Sequence, residues 1–273
     1  MKTRRDFLAT SIAGALFASS VQAADKPQPD TEDNTTESLQ ANWTGDEKIA
    51  ILLYPGFTAL DVFGPHHMFI LMTGAKVELV APTRELVTAD TGIQVMPTTT
   101  FEECPEDLTI LCVPGGTLGT LQAAKDDKIR NFVAARGSRA EWVTSVCTGS
   151  IILGAAGLLD GYKATGHWLA RDVLEVFGAE PVNERVVIDR NRITGGGVTA
   201  GIDFALHLVQ QLRGTAYAQA TQLFAEYDPK PPLDAGSPEK APKETVKMLE
   251  DMHKPFSEQI RKLADELPES RMQ

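Results

Sequence analysis

Cysteine is scarce in this chain of 273 residues: Cys104, Cys112 and Cys147 are the only three. That excludes a disulfide-dense scaffold, and the odd count leaves at least one thiol outside any pairing within the chain. Positive charge is also short. Lys and Arg number 26 against 37 Asp and Glu, a formal charge of −11 with no basic tract. The electrostatic footprint of a nucleic-acid or anionic-membrane binder is therefore missing. After the first residues there is no run of about 18 apolar residues, so nothing beyond them reads as a spanning helix. What is present, 42% hydrophobic and 23% charged residues with 22 Gly and 16 Pro, is a globular composition able to bury a sizeable core.

Residues 1–23 read as an export signal. Lys2, Arg4 and Arg5 form a charged start, an apolar stretch runs from Phe7 to about Phe17, and Val21-Gln22-Ala23 has the small-x-small form of a cleavage site. The adjacent arginines in T-R-R-D-F-L resemble a twin-arginine signal, with a general secretory signal as the alternative. The expectation is export to the periplasm and no membrane association after the signal is removed. Loss of this segment, with three basic residues and one acidic, takes the charge from −11 to −13. Residues 24–45 are polar and read as a flexible lead-in.

Over 46–230, apolar runs alternate with helical stretches. Strands are expected at 49–54, 75–81, 108–113 and 142–146. Helices are expected at 59–72, 125–135, 150–159, 168–177, 202–212 and 216–226. Residues 185–189 and 192–194 flank Arg190-Asn191 and fit either a hairpin or two short strands. Strands that are apolar without alternation indicate a parallel sheet covered on both faces. The fold class is therefore α/β, a flavodoxin-like three-layer sandwich with a mostly parallel sheet. Ligands in such sheets sit beyond the carboxyl ends of the strands. Here those ends carry Tyr54-Pro55-Gly56, Val113-Pro114-Gly115-Gly116 and Val146-Cys147-Thr148-Gly149. If 108–113 is extended, Cys104 and Cys112 lie about 26 Å apart, far beyond the roughly 5.5 Å of a bridged pair, which speaks against a bond between them. Residues 231–273 form a Pro-rich arm and a tail. In the tail Val246, Leu249 and Met252 share one helical face and Phe256, Ile260, Leu263 and Leu267 another, as in two short helices.

The strongest chemical signal is W-V-T-S-V-C-T-G-S at 142–150. A β-branched strand runs into Cys147, then a small-residue turn, then a helix, the logic of a nucleophile elbow. The helix N-terminus favours thiolate at such a position. A buried structural cysteine at a strand end is the alternative. The adjacent His66 and His67 point to different helical faces and do not read as a metal site. The run Gly195-Gly196-Gly197 lacks the Lys-Ser/Thr ending and the spacing of a phosphate loop.

Several stretches together resemble the isonitrile hydratase branch of the ThiJ/PfpI family, within the class I glutamine amidotransferase-like superfamily. They are YPGFTALDVFGP (54–65), LCVPGG (111–116), TSVCTGSIILGAAGLLDGYKAT (144–165), HW (167–168), RITGGGVTAGID (192–203) and EYDPKPPLDAGSPE (226–239). The resemblance spans about 48–239. It implies a cofactor-free, metal-free lyase that adds water to an isocyanide and gives an N-substituted formamide through a Cys thioimidate. It implies Cys147 as nucleophile, Asp61 as the acid–base residue and Thr148 as the hydroxyl beside the sulfur. Gly115 and Gly116 match the loop whose N–H groups face the reacting centre, with Trp168 and Tyr227 as substrate-binding residues at the pocket wall and edge. His167 reads as a structural or wall residue, and Asp203 as a residue that holds the glycine loop. A homodimer and a small-molecule substrate are implied as well. Gly166 stands where relatives often carry Thr. Two other readings remain: another Cys-dependent enzyme of this fold with glyoxalase-like activity, and a non-catalytic periplasmic ligand-binding or redox-responsive protein.

Overall fold

The structure is a computed structural model that describes residues 43–267. The expected export signal at 1–23 and nearly all of the lead-in at 24–45 lie outside the described residues.

Four apolar segments make the middle of one seven-stranded sheet. They are β1 (Lys48–Leu52), β2 (Lys76–Ala81), β6 (Ile110–Val113) and β7 (Trp142–Val146). The short β5 (Thr99–Thr100) edges one side; β11 (Arg192–Gly195) and β10 (Val186–Asp189) complete the other, in the order β10-β11-β7-β6-β1-β2-β5. All neighbours are parallel except β10 with β11. That pair settles the two options around Arg190-Asn191 as an antiparallel hairpin, turned at Arg190 with φ 53°. Strands β1 and β6 are buried almost throughout, as continuous apolar runs in a doubly covered sheet should be. Two-residue strands β3 (Val87–Thr88), β4 (Gln94–Val95), β8 (Lys163–Ala164) and β9 (Glu180–Pro181) form two small additional pairs. They are too short to carry a periodicity.

One helical layer is built from α1 (Ala59–Ile70), α5 (Ala200–Arg213) and α6 (Thr215–Phe224); the other from α2 (Leu118–Lys125), α3 (Asp127–Gly137) and α4 (Gly149–Ala155). The result is a flavodoxin-like α/β sandwich. The helix expected at 125–135 is α3, and α2 before it was not expected. Asp126 ends α2 and caps α3, its side chain accepting from Lys128 N at 2.8 Å. Residues Arg171–Phe177 wind as a 3-10 helix rather than an α-helix, a distinction that periodicity over two turns does not make. The tail is one helix, α7 (Lys243–Glu266), not two, with Pro255 on its exposed side. The face read from Val246, Leu249 and Met252 is not a core face: Met252 is 66% exposed. Phe256, Ile260 and Leu263 are buried where α7 packs on α2 and the 3-10 helix. The arm before α7 has no regular structure and is anchored at both ends. Tyr227 Oη donates to Asp203 Oδ1 at 2.9 Å, and Asn183 Nδ2 to Glu239 Oε1 at 2.9 Å. All three cysteines are free and buried.

Candidate functional site

The carboxyl ends of β1, β6, β7 and β11 meet at Cys147. Strand β7 stops at Val146, Cys147 takes φ 58°, and α4 begins two residues later. A non-glycine residue in the left-handed region costs about 1–3 kcal/mol and persists only when its surroundings over-determine it. Here they do: Cys147 N donates to Gly195 O at 3.0 Å, and Cys147 O accepts from His167 N at 3.0 Å and from Ser150 Oγ at 3.3 Å. The small residue after the turn is required. A Cβ on Gly149 would lie 2.2 Å from Val113 O.

Asp61 lies in the first turn of α1 and is wholly buried. It does not cap its own helix. Its Oδ2 accepts instead from Gly115 N at 2.8 Å, while Oδ1 is buried without a partner of ordinary hydrogen-bond geometry. Burial is the main cause that pushes the carboxyl up to about 7, and the charge of Asp90 adds to it. The hydrogen bonds of Gly115 and of the Cys147 thiol pull it back. The thiol is pushed far up, first by burial and then by Asp61, with the N–H and hydroxyl of Thr148 opposing. The local helix end thus does not decide the ionisation of this cysteine. Desolvation does, so the resting pair is a protonated thiol facing a carboxyl that ionises near neutrality.

The glycine loop holds this pair together. Gly115 N serves Asp61, and Gly116 N donates to Thr148 Oγ1 at 3.0 Å. Both N–H groups are therefore already spent on side chains of the site, rather than left facing an incoming ligand. A Cβ on Gly115 would lie 2.6 Å from Thr148 N, 2.7 Å from Thr148 Oγ1 and 2.9 Å from Asp61 Oδ2, so only glycine allows this approach. Two residues that sequence reasoning did not assign stand behind Thr148. Thr120 Oγ1 is 2.8 Å from Thr148 Oγ1 and 3.1 Å from Tyr54 Oη, and Tyr54 Oη donates to Pro114 O at 2.7 Å. Tyr54 ends an apolar run at a strand terminus, a signal that could have found it. Thr120 carries none.

Trp168 lines a cavity of about 280 Å³ between the chain after His167 and α7, where Leu169, His253 and Arg261 also line the wall. Tyr227 borders another groove and bonds Asp203, which also pairs with Arg185 at 2.5 Å. His167 is half-buried. Its pKa is lowered by burial and then by His253, and its Nδ1 accepts from Leu169 N at 3.4 Å. It meets Cys147 through its backbone, His167 N donating to Cys147 O. Gly166 faces Ser150: a Cβ there would lie 2.5 Å from Ser150 Oγ. Cys112 is pushed up to about 12 by burial. Among the described residues, no group of three or more His, Cys, Asp or Glu side chains could hold a metal ion.

Comparison with known proteins agrees with this geometry. The DJ-1/PfpI family profile matches residues 47–211. The chain is 49% identical over 199 residues to isonitrile hydratase from Pseudomonas putida, covering 73% of this chain and 86% of that protein. It is 34% identical over 183 residues to the HTH-type transcriptional regulator GbdR from Pseudomonas aeruginosa, covering 64% of this chain and 49% of that protein. A crystal structure of a ThiJ/PfpI family protein from Pseudomonas syringae superposes with a TM-score of 0.82 at 51% identity, covering 86% of this chain and 97% of that one. With the elbow cysteine, the covered parallel sheet and these relatives in agreement, the chain belongs to the DJ-1/PfpI family.

Proposed function

We propose that this protein is an isonitrile hydratase-like enzyme that converts an isocyanide and water to an N-substituted formamide without a cofactor. The observation that carries the reading is the Asp61 carboxyl, pushed up to about 7 beside the protonated Cys147 thiol. A group with that pKa can both accept and release a proton at neutral pH. The terminal carbon of R–N≡C must gain both a nucleophile and a proton. The Asp61 carboxylate takes the thiol proton as sulfur bonds to that carbon, then passes it to the same carbon, leaving R–N=CH–S–Cys147. Water adds next: its oxygen bonds to carbon, one proton goes to Asp61, and Asp61 returns it to the imino nitrogen. Collapse breaks the C–S bond. The hydroxyl proton passes through Asp61 to sulfur, restoring the thiol and releasing R–NH–CHO.

The test is formamide production from cyclohexyl isocyanide by the full-length protein, Cys147→Ala and Asp61→Ala. Turnover by the wild type that is absent in Cys147→Ala and strongly reduced in Asp61→Ala supports the reading. No turnover, with Cys147 still open to alkylation, leaves a non-catalytic thiol or a different substrate. Periplasmic export through residues 1–23 and a homodimer belong to the same proposal. Cell fractionation, and light scattering on the purified protein, test them.

A further inference from the structure

The direction of the hydrogen bonds behind Thr148 follows from counting protons. Pro114 O is a carbonyl and can only accept, and Tyr54 Oη is 2.7 Å from it. The one hydroxyl proton of Tyr54 is therefore on that bond, because without it two oxygens would face each other at that distance. Burial raises the pKa of Tyr54 well above its usual value, so this proton stays in place at neutral pH. The 3.1 Å contact between Tyr54 Oη and Thr120 Oγ1 must then be donated by Thr120. A threonine hydroxyl has a single proton. With that proton on Tyr54, the 2.8 Å contact between Thr120 and Thr148 must be donated by Thr148. Thr148 Oγ1 meanwhile accepts from Gly116 N at 3.0 Å. Its proton and one of its two lone pairs are both committed.

We infer that Tyr54 and Thr120 are positioning residues that fix Thr148 as a pure acceptor, whose one remaining lone pair holds the attacking water of the hydration step. This deepens the hydratase reading and rests on it. Thr148 has no proton to give to sulfur, to the imino nitrogen or to the addition intermediate. The Thr148 hydroxyl lies beside the thiol and opposes its raised pKa only where it donates to sulfur. With its proton on Thr120, the backbone N–H of Thr148 is the donor left for a thiolate there. Every proton delivery then falls to Asp61, whose Oδ2 is held by Gly115 N and whose carboxyl faces the Cys147 thiol. The division of labour is spatial: Thr148 holds one water hydrogen while Asp61 takes the other. The chain ends on a backbone carbonyl of the β6 exit loop, so its polarity is set by the fold and not by the ligand.

Neutron diffraction from crystals of the deuterated protein reads the polarity directly. The expected map places the deuterium of Tyr54 towards Pro114 O, that of Thr120 towards Tyr54 and that of Thr148 towards Thr120. A deuterium on Thr120 directed at Thr148 overturns the inference whatever the substrate proves to be. The kinetic arm uses cyclohexyl isocyanide with Thr120→Val, Thr120→Ser and Tyr54→Phe. Formamide release should slow about 10-fold in Thr120→Val and Tyr54→Phe, with the covalent adduct on Cys147 accumulating in intact-mass spectra. Iodoacetamide should alkylate Cys147 at the wild-type rate, and Thr120→Ser should restore turnover. Unchanged turnover, or a loss of turnover matched by an equal loss of alkylation, counts against the water-holding role. A wild type that makes no formamide overturns the hydratase reading alone, and the neutron map then decides the polarity by itself.

Discussion

Asp61 and Cys147 act on each other in opposite senses. The carboxyl raises the thiol pKa, while the hydrogen bond from the thiol lowers that of the carboxyl. This is the pattern of an S–H that donates to a carboxylate. Removing the negative charge while keeping the shape should therefore release the thiol. Asp61→Asn is expected to alkylate faster with iodoacetamide at pH 8 than the wild type, because the second cause of the raised thiol pKa is gone. Its turnover should nevertheless fall by about 100-fold or more, the usual worth of a positioned acid–base group. Rates of alkylation and formamide release on the same preparation check this. A fall in both would mean that Asp61 is needed only to shape the crevice.

The same carboxyl ties stability to pH. Its pKa is about 7 in the folded protein and about 3.9 when unfolded. Between these values the native state binds the extra proton, so stability falls as pH rises from about 4 to 7. The interval corresponds to roughly 4 kcal/mol at full burial. Asp61→Asn removes this dependence. The variant should be more stable than the wild type at pH 8, and the two should converge near pH 4. Urea unfolding at the two pH values measures the difference. A variant less stable at pH 8 would contradict the sign.

Gly115→Ala should inactivate the protein without unfolding it. The added methyl meets the backbone and hydroxyl of Thr148 and the carboxyl of Asp61 at once, so those groups must part. A displacement of this size in a reacting geometry costs on the order of 100-fold in rate. Gly197→Ala, in the glycine run after β11, meets nothing within 4 Å and should keep its turnover. Circular dichroism alongside the rate separates a shifted site from a lost fold.

The parallel sheet was legible because β1 and β6 are long enough to show apolar runs without alternation. The elbow was legible because Cys147 stands between a β-branched strand and small residues. Helix α2 was not, and the start of α3 was blurred, since Asp126 reads as an ordinary helical surface residue until its side chain is seen to accept from Lys128 N. The tail misled for a related reason. A four-three spacing shows which residues share a helical face but not whether anything covers it, and Met252 lies in solvent. Thr120 was invisible because its role depends on an oxygen 28 positions away in the chain. The spent N–H groups of Gly115 and Gly116 depended likewise on which side chains fold over the loop.

At the opposite end of the sheet, just before β1, Glu47 pairs with Arg213 at the end of α5. Arg213 Nε donates to Glu47 Oε1 at 2.6 Å and Nη2 donates to Thr73 O at 3.0 Å, with the side chains 2% and 11% exposed for Arg213 and Glu47. Breaking a buried pair from one side leaves a charge without its counter-ion and costs about 3–5 kcal/mol. For a domain of this size that lowers Tm by roughly 10 °C. Glu47→Gln should therefore melt early and yet keep its turnover at low temperature, since the site lies at the other end of the strands. The exposed pair of Lys163 and Glu180, 3.9 Å apart, supplies the control: Glu180→Gln should leave Tm unchanged. Equal Tm values for the two variants would show that the sheet does not depend on the buried pair.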